Sequence, residues 1–203
     1  NSIGLLQLIS LILPYWDRQE AADNAIELLN KTYAGLDLEL VIVDDGNKVP
    51  FAMPPTDFKV NLVVLPEKDV PKSPTAAWNA GATASTGEYI ILSCVEILHE
   101  TPVLEQLVEA VEDIGPLGYV LASAWCPEAN EWHCHSTVKV PRNQEGTGIA
   151  FCAAMHRELF FKAGGFDEEY REGAGYEDND WINRLLMAGA RFLIRDDLVV
   201  THP

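Results

Sequence analysis

This sequence of 203 residues predicts an α/β fold: a mostly parallel, doubly wound sheet with helices on both faces. Three observations carry that expectation. Continuous apolar runs of strand length, Leu6–Leu13 and Leu38–Val43 among them, mark strands buried on both faces. Segments of helical periodicity separate those runs. The links are short, as expected where right-handed crossovers join parallel strands.

The first strand, Leu6–Leu13, stops at Pro14. Asp17 then reads as a helix N-cap, with Glu20 three residues on as in a capping box. Ala21, Ala22, Ala25, Ile26, Leu28 and Leu29 form that helix's apolar stripe. The second strand, Leu38–Val43, ends in Asp44-Asp45-Gly46-Asn47, and a loop with Pro50, Pro54 and Pro55 leads to a third at Val60–Leu65. Ser73-Pro74 gives an N-cap followed by an N1 proline, opening a small-residue helix over Thr75–Ser85. Gly87 ends it, and Tyr89–Leu92 is the fourth strand. Thr101-Pro102 opens a helix with Val103, Leu104, Leu107, Val108 and Val111 on one face, before a fifth strand at Tyr119–Ala124. From Pro127 to Gly148 the pattern turns polar and irregular, with a glycine-rich patch over Arg142–Gly148. Ile149–Met155 resumes as a strand, His156–Ala163 is a short helix, and a further helix ends at Gly189. Arg191–Ile194 is the last strand. No linker or repeat divides the chain, so residues 1–203 read as one domain.

With 14 Lys+Arg against 31 Asp+Glu, the net charge is −17. Such a surface argues against a nucleic-acid partner, which calls for basic patches. It suits an anionic ligand that arrives with a divalent cation. No segment approaches the length of a membrane span. Ile3–Pro14 is apolar but has no basic residue before it and no small-residue cleavage site after it, so no signal peptide is expected. Cys94, Cys126, Cys134 and Cys152 follow no paired spacing, which predicts reduced thiols and a cytoplasmic location. No Gly-x-Gly-x-x-Gly follows the first strand and no Gly-Lys-Ser/Thr loop occurs, arguing against dinucleotide oxidoreductases and P-loop ATPases.

Ligands of open parallel sheets sit beyond the C-terminal ends of the strands. Those ends carry Pro14-Tyr15-Trp16-Asp17, Asp44-Asp45 and Ser93-Cys94-Val95-Glu96. Asp-Asp-Gly also marks turns, and the residues alone leave turn and ligand open. Downstream, Gly175-Tyr176-Glu177-Asp178-Asn179-Asp180 runs into a helix. Acids in a first helical turn are stabilised by free backbone N–H groups and the dipole, so capping alone could explain them. A second acidic turn, Gly164–Glu169, and the Gly173/Gly175 hinge exceed what one cap needs. A site that binds a cation or removes a proton accounts for the excess.

Leu8–Pro14 with Tyr15, Val41-Ile-Val-Asp-Asp-Gly-Asn47, Trp78-Asn79-Ala-Gly81 and Ala84-Ser-Thr-Gly-Glu-Tyr-Ile-Ile91 together resemble family 2 glycosyltransferases. Phe151–His156, Gly164-Gly-Phe-Asp-Glu168 and Gly175–Trp181 with Arg184-Leu185 continue the resemblance in the family's order over nearly the whole chain. It implies a GT-A, Rossmann-like fold that moves a sugar from a nucleotide-diphosphate donor, most often a UDP-sugar, to an acceptor hydroxyl with inversion and with Mn2+ or Mg2+. About 1–100 would then hold the donor and about 101–203 the acceptor, which could be a glycan, a lipid-linked sugar or another hydroxyl. Oligomeric state stays open. Carried over by motif, Pro14 and Tyr15 would line the nucleoside pocket, Asp44 would accept from the base edge, and Asn79 would face the donor. Asp178 would be the general base, Glu177 would orient the acceptor or sugar, and Asp180 and Trp181 would lie at the substrate.

One departure stands out. The family's Asp-x-Asp after the fourth strand is replaced by Ser93-Cys94-Val95-Glu96, leaving only Glu96 acidic. The resemblance implies that Glu96 and the late His202 hold the cation with donor phosphate oxygens and water. Trp132, with Trp125, His133 and His135, offers flat faces on which an acceptor sugar could stack, and equally reads as the buried aromatics of an irregular loop. Gly146 and Gly148 would let that loop close. Cys126, His133, Cys134 and His135 form a rival zinc set, but neighbouring ligands such as Cys134-His135 seldom close a structural site. His156 reads as a cap of its short helix, and Cys94 and Cys152 as small buried residues. Because the metal motif is eroded, the alternative is a non-catalytic domain that binds nucleotide sugars.

Overall fold

The computed structural model describes residues 8–69, 73–138, 151–173 and 175–203. In chain order it contains β1 (Ile9–Tyr15), α1 (Gln19–Thr32), β2 (Leu38–Asp44), β3 (Lys59–Val64), α2 (Thr75–Ala84) and β4 (Tyr89–Ser93). Then come α3 (Leu104–Ile114), β5 (Gly118–Cys126), β6 (Glu131–Cys134), β7 (Cys152–His156) and α4 (Arg157–Lys162). A 3-10 turn at Glu168–Glu172, α5 (Glu177–Met187) and β8 (Arg191–Thr201) complete it.

The strands form one sheet in the order β3-β2-β1-β4-β7-β5-β6, with β8 also paired to β5. β1 through β4 are parallel, as are β5 and β8. β7 runs antiparallel to both β4 and β5 and so joins the two parallel sets. The mostly parallel α/β sheet expected from the apolar runs is therefore present. Register places Tyr15 opposite Asp44 and Ile12 opposite Leu92, which brings the C-terminal ends of β1, β2 and β4 to one edge.

Apolar runs made these strands central. Leu11, Ile12, Leu40, Val41, Ile42, Ile90, Ile91 and Leu92 are all fully buried. Burial of such a side chain stabilises by roughly 1.5–3 kcal/mol. α3 buries Leu104, Leu107, Val108 and Val111, the i, i+3, i+4, i+7 face read from the sequence. α2 comes closest to the sheet at Gly81, where a Cβ would lie 2.4 Å from Ile12 Cγ2. Only glycine permits that approach.

Several boundaries differ from the sequence reading. Asp17 is not the cap of α1: its φ is 45°, the cap position is Arg18, and no side chain caps the helix. The Asp17 N–H instead donates to Asn47 Oδ1 at 2.8 Å, so a loop contact fixes the turn. Ser73 does not cap α2, and its buried Oγ has no hydrogen-bond partner. The irregular stretch contains β6, antiparallel to β5. β8 continues to Thr201 because a register irregularity at Ala122/Ser123 absorbs the Asp196-Asp197-Leu198 segment. The patch Arg142–Gly148, with Gly146 and Gly148, lies outside the described residues.

Candidate active site

The edge formed by β1, β2 and β4 borders a cleft of about 210 Å³ lined by Pro14, Tyr15, Trp16, Asp45, Trp78 and Glu96, among others. A second cleft of about 390 Å³ shares Asp45 and adds Lys68 and Arg171. Pro14 and Tyr15, expected at the nucleoside, both line the smaller cleft. The Tyr15 ring is held by Phe51 at 4.7 Å. Asp44 and Asp45 divide their work. Asp44, 1% exposed, accepts from Asn47 N at 3.0 Å and Asn47 Nδ2 at 2.6 Å through Oδ1, and from Phe51 N at 2.9 Å through Oδ2. These bonds tie its carboxylate to the Asn47–Phe51 loop, where the sequence reading expected a nucleobase partner. Successive strand residues point to opposite sides, and the following Asp45 lies on the cleft wall. Burial pushes the Asp45 carboxyl up, opposed by Lys68, whose Nζ is 2.6 Å away. The same Nζ sits 5.0 Å from the centroid of the Trp16 ring.

Asn79, expected to face the donor, ties α2 to the acidic turn instead. Its Oδ1 accepts from Phe166 N at 2.9 Å, and its Nδ2 donates to Phe166 O at 2.9 Å and Glu168 Oε1 at 3.1 Å. Asp180 is also engaged: it pairs with Arg184, which pairs in turn with Asp167. This clamp, through Asp180 Oδ2, fixes α5 against the turn. Trp181 is 0% exposed and stacks on Phe166 at 4.7 Å with an interplanar angle of 17°. A side chain sealed in the core cannot stack on an acceptor, which corrects the expectation for Trp181.

Asp178 and Glu177 behave differently. They open α5 directly after Gly175 (φ 87°) and Tyr176, which holds a left-handed φ of 72° and is 75% exposed. Burial first, and the Glu177 charge second, raise the Asp178 carboxyl to about 6. Glu177 Oε2 is buried without a partner. Asp178 and Glu96 both act electrostatically on Cys94, whose thiol burial pushes up strongly. Cys94 lies on the wall of the smaller cleft. Cys94 thus feels the charge of an acid beyond β4 and of one at the head of α5.

Glu96 forms an ion pair with Arg18 at 2.5 Å. His202 donates its backbone N–H to Trp125 O at 2.8 Å, and its Nδ1 is buried without a partner. Burial lowers the His202 pKa, while the Glu96 charge opposes that shift. Trp132 is half-buried, stacked on His135 at 4.5 Å and edge-on to Trp125 at 5.0 Å. The rival set of Cys126, His133, Cys134 and His135 does not assemble. Cys134 is buried in the core, and His135 Nε2 lies 3.5 Å from Asp196 Oδ1. His133 instead gathers with Cys126 and His202.

Two parallel strand sets joined through one antiparallel strand, with helices packed against them, give a mixed α/β sheet of GT-A type. The chain belongs to glycosyl transferase family 2, whose model matches residues 10–162. Its fold is similar to that of the mannosyltransferase PcManGT from Pyrobaculum calidifontis, solved in complex with GDP-Man and Mn2+: TM-score 0.69 at 19% identity, covering 98% of this chain and 57% of that one. S. aureus TarS 1-349 gives a TM-score of 0.68 at 14% identity, covering 95% of this chain and 59% of that one. The chain therefore spans little more than half the length of these two solved proteins. None of the curated proteins matches it. Among the described residues, no helix is long and apolar enough to cross a membrane.

Proposed function

We propose that this domain transfers a sugar from a nucleotide-diphosphate donor to an acceptor hydroxyl, with inversion at the anomeric carbon and Asp178 as general base. The observation that carries the reading is the pair of acids Glu177 and Asp178 at the head of α5, with Glu177 Oε2 buried and without a hydrogen-bond partner, in a family 2 domain whose β1, β2 and β4 edge borders a cleft. Asp178 takes the proton of the acceptor hydroxyl. The freed oxygen attacks the anomeric carbon from the face opposite the leaving group, and the bonding pair departs with the diphosphate. A single carboxylate base and no covalent intermediate give inversion. Positioned proton removal contributes about 10²–10⁴-fold. A carboxyl raised to about 6 beside a second acid suits proton removal near neutral pH, which supports the enzyme over a pure binding module.

Pro14 and Tyr15 would wall the nucleoside. Asp45 would accept from an N–H of the base edge, which uracil and guanine both offer, while Asp44 holds the loop in place. A UDP-sugar is the donor the resemblance implies, and the PcManGT complex with GDP-Man makes GDP-sugars the comparison. Glu96 and His202 would hold a divalent cation, the carboxylate supplying oxygen and the imidazole nitrogen; the Glu96 charge partly offsets the lowering of the His202 pKa by burial. When bound, the cation neutralises charge that builds on the leaving diphosphate. Glu177 would orient the acceptor or sugar, and Trp132 would flank the acceptor.

Thermal-shift titration with UDP- and GDP-sugars, with and without Mn2+, identifies the donor because a ligand of the folded state raises the midpoint by mass action. With that donor, Asp178→Asn is expected to lose about 10²–10⁴-fold in turnover with donor binding unchanged. Unaltered turnover removes Asp178 as the base.

A further inference from the structure

We propose that Cys126, His133 and His202 form a site for a borderline transition metal of the Zn2+ or Co2+ class at the rim of the sheet. Three adjacent strands deliver the ligands. Cys126 is the last residue of β5, His133 lies in β6, and His202 follows β8. β5 pairs with both neighbours, and the hydrogen bond from His202 N to Trp125 O fixes the third ligand beside the first. One ligand atom from each residue lies within 4.8 Å of the other two. A tetrahedral zinc with bonds of about 2.0–2.3 Å needs ligand atoms roughly 3.4–3.8 Å apart, so small side-chain rotations close the set.

A second observation points the same way. His202 Nδ1 is buried with no hydrogen-bond partner, and an orphaned buried polar group costs about 1–3 kcal/mol. Coordination removes that cost. The His133 ring also packs 4.9 Å from the His202 ring, which holds the two imidazoles side by side. Backbone alternation explains why the neighbouring Cys134 is not part of the set: it points from β6 into the core while His133 points away.

One thiolate and two imidazoles favour Zn2+ and Co2+ over the oxygen-seeking Mg2+ and Mn2+. Three protein ligands leave one position for an exogenous oxygen, as in zinc sites that take part in chemistry. The site and the cation pair proposed above both draw on His202, so the two cations compete for that imidazole. It rests on the transferase reading only for the chemistry it would serve, since binding requires just the three side chains.

Co2+ titration of the metal-free protein tests this directly. The expected result is a thiolate-to-cobalt charge-transfer band that Zn2+ displaces, that disappears in Cys126→Ser, and that persists in Cys152→Ala. His133→Ala, at a half-buried position, is expected to weaken Co2+ affinity by about tenfold or more. Absence of the band in the unaltered protein overturns the proposal, as does its survival in a folded Cys126→Ser variant. If Cys126→Ser does not fold, unchanged affinity in His133→Ala overturns it equally. None of these readouts involves sugar transfer, so loss of the metal site and loss of the transferase reading are told apart.

Discussion

At the scale of single residues, the most consequential group is Asp178, buried beside Glu177 with a carboxyl raised to about 6. A base works only when deprotonated, so kcat/KM is expected to fall as pH drops below about 6. Glu177→Gln removes the like charge and should move that acidic limb to lower pH. Burial is the larger cause and remains, so the limb should not return to the ordinary carboxylate value of 3.8. A pH profile of the variant checks both statements. Stability carries the opposite sign. The folded state binds this proton more tightly than the unfolded chain, so the group's stabilising contribution is complete below pH 3.8 and is lost as pH rises through about 6. At neutral pH the buried charge is a cost, because each tenfold gain in proton affinity on folding corresponds to about 1.4 kcal/mol. Asp178→Asn should therefore be more stable than the parent by about 1–3 kcal/mol at pH 7 in urea unfolding, even as turnover collapses. A less stable variant would mean that the carboxylate makes compensating contacts. Residue types were legible at this scale, but their allocation was not. The sequence reading assigned the base edge to Asp44, and only the structure shows that Asp44 is tied to the Asn47–Phe51 loop while Asp45 lies on the cleft wall. Trp181 looked like a stacking platform because a sequence does not show that Phe160 and Phe166 already cover its ring.

Among the elements, the strands and the apolar helix faces were readable because burial on both sides leaves uninterrupted apolar runs. Direction was not. β7 has a composition that suits either orientation, and its antiparallel course depends on what precedes it. The start of α1 was misread because a distant side chain, Asn47, holds the turn that a local capping box was expected to hold. The acidic turn ahead of α5 is a positioning device of the same long-range kind. Asn79 clasps both backbone groups of Phe166, and Arg184 bridges Asp180 and Asp167. Gly165 makes the clasp possible: its φ is 68°, and a Cβ there would lie 2.6 Å from Asn79 Oδ1. Gly165→Ala meets both left-handed backbone strain, about 1–2 kcal/mol, and that contact. It is expected to destabilise the fold by about 2–3 kcal/mol and to lower turnover by displacing the head of α5. Thermal unfolding with parallel assays of transfer and of donor binding checks this. Intact stability would show that the clasp yields without resistance.

Across the whole molecule, one sheet joins the two halves, since β4 pairs with β1 on one side and β7 on the other. The site is therefore a property of the sheet's edge and of the field around it. That field is strongly negative, at a net charge of −17. The proposed donor is also an anion. The cations lining the two clefts include Arg18, Lys68 and Arg171, but Arg18 is already paired with Glu96 and Lys68 with Asp45. Long-range repulsion should then dominate the encounter. Raising monovalent salt from about 0.01 M to about 0.15 M shortens the screening length from about 30 Å to about 8 Å. The association rate of the donor should consequently rise with salt, where a basic cleft would make it fall. Stopped-flow fluorescence, with Trp16 and Trp78 in the cleft wall as reporters, measures it. A rate that falls with salt would mean that local cations, released from their carboxylate partners as the donor arrives, set the potential that the ligand meets.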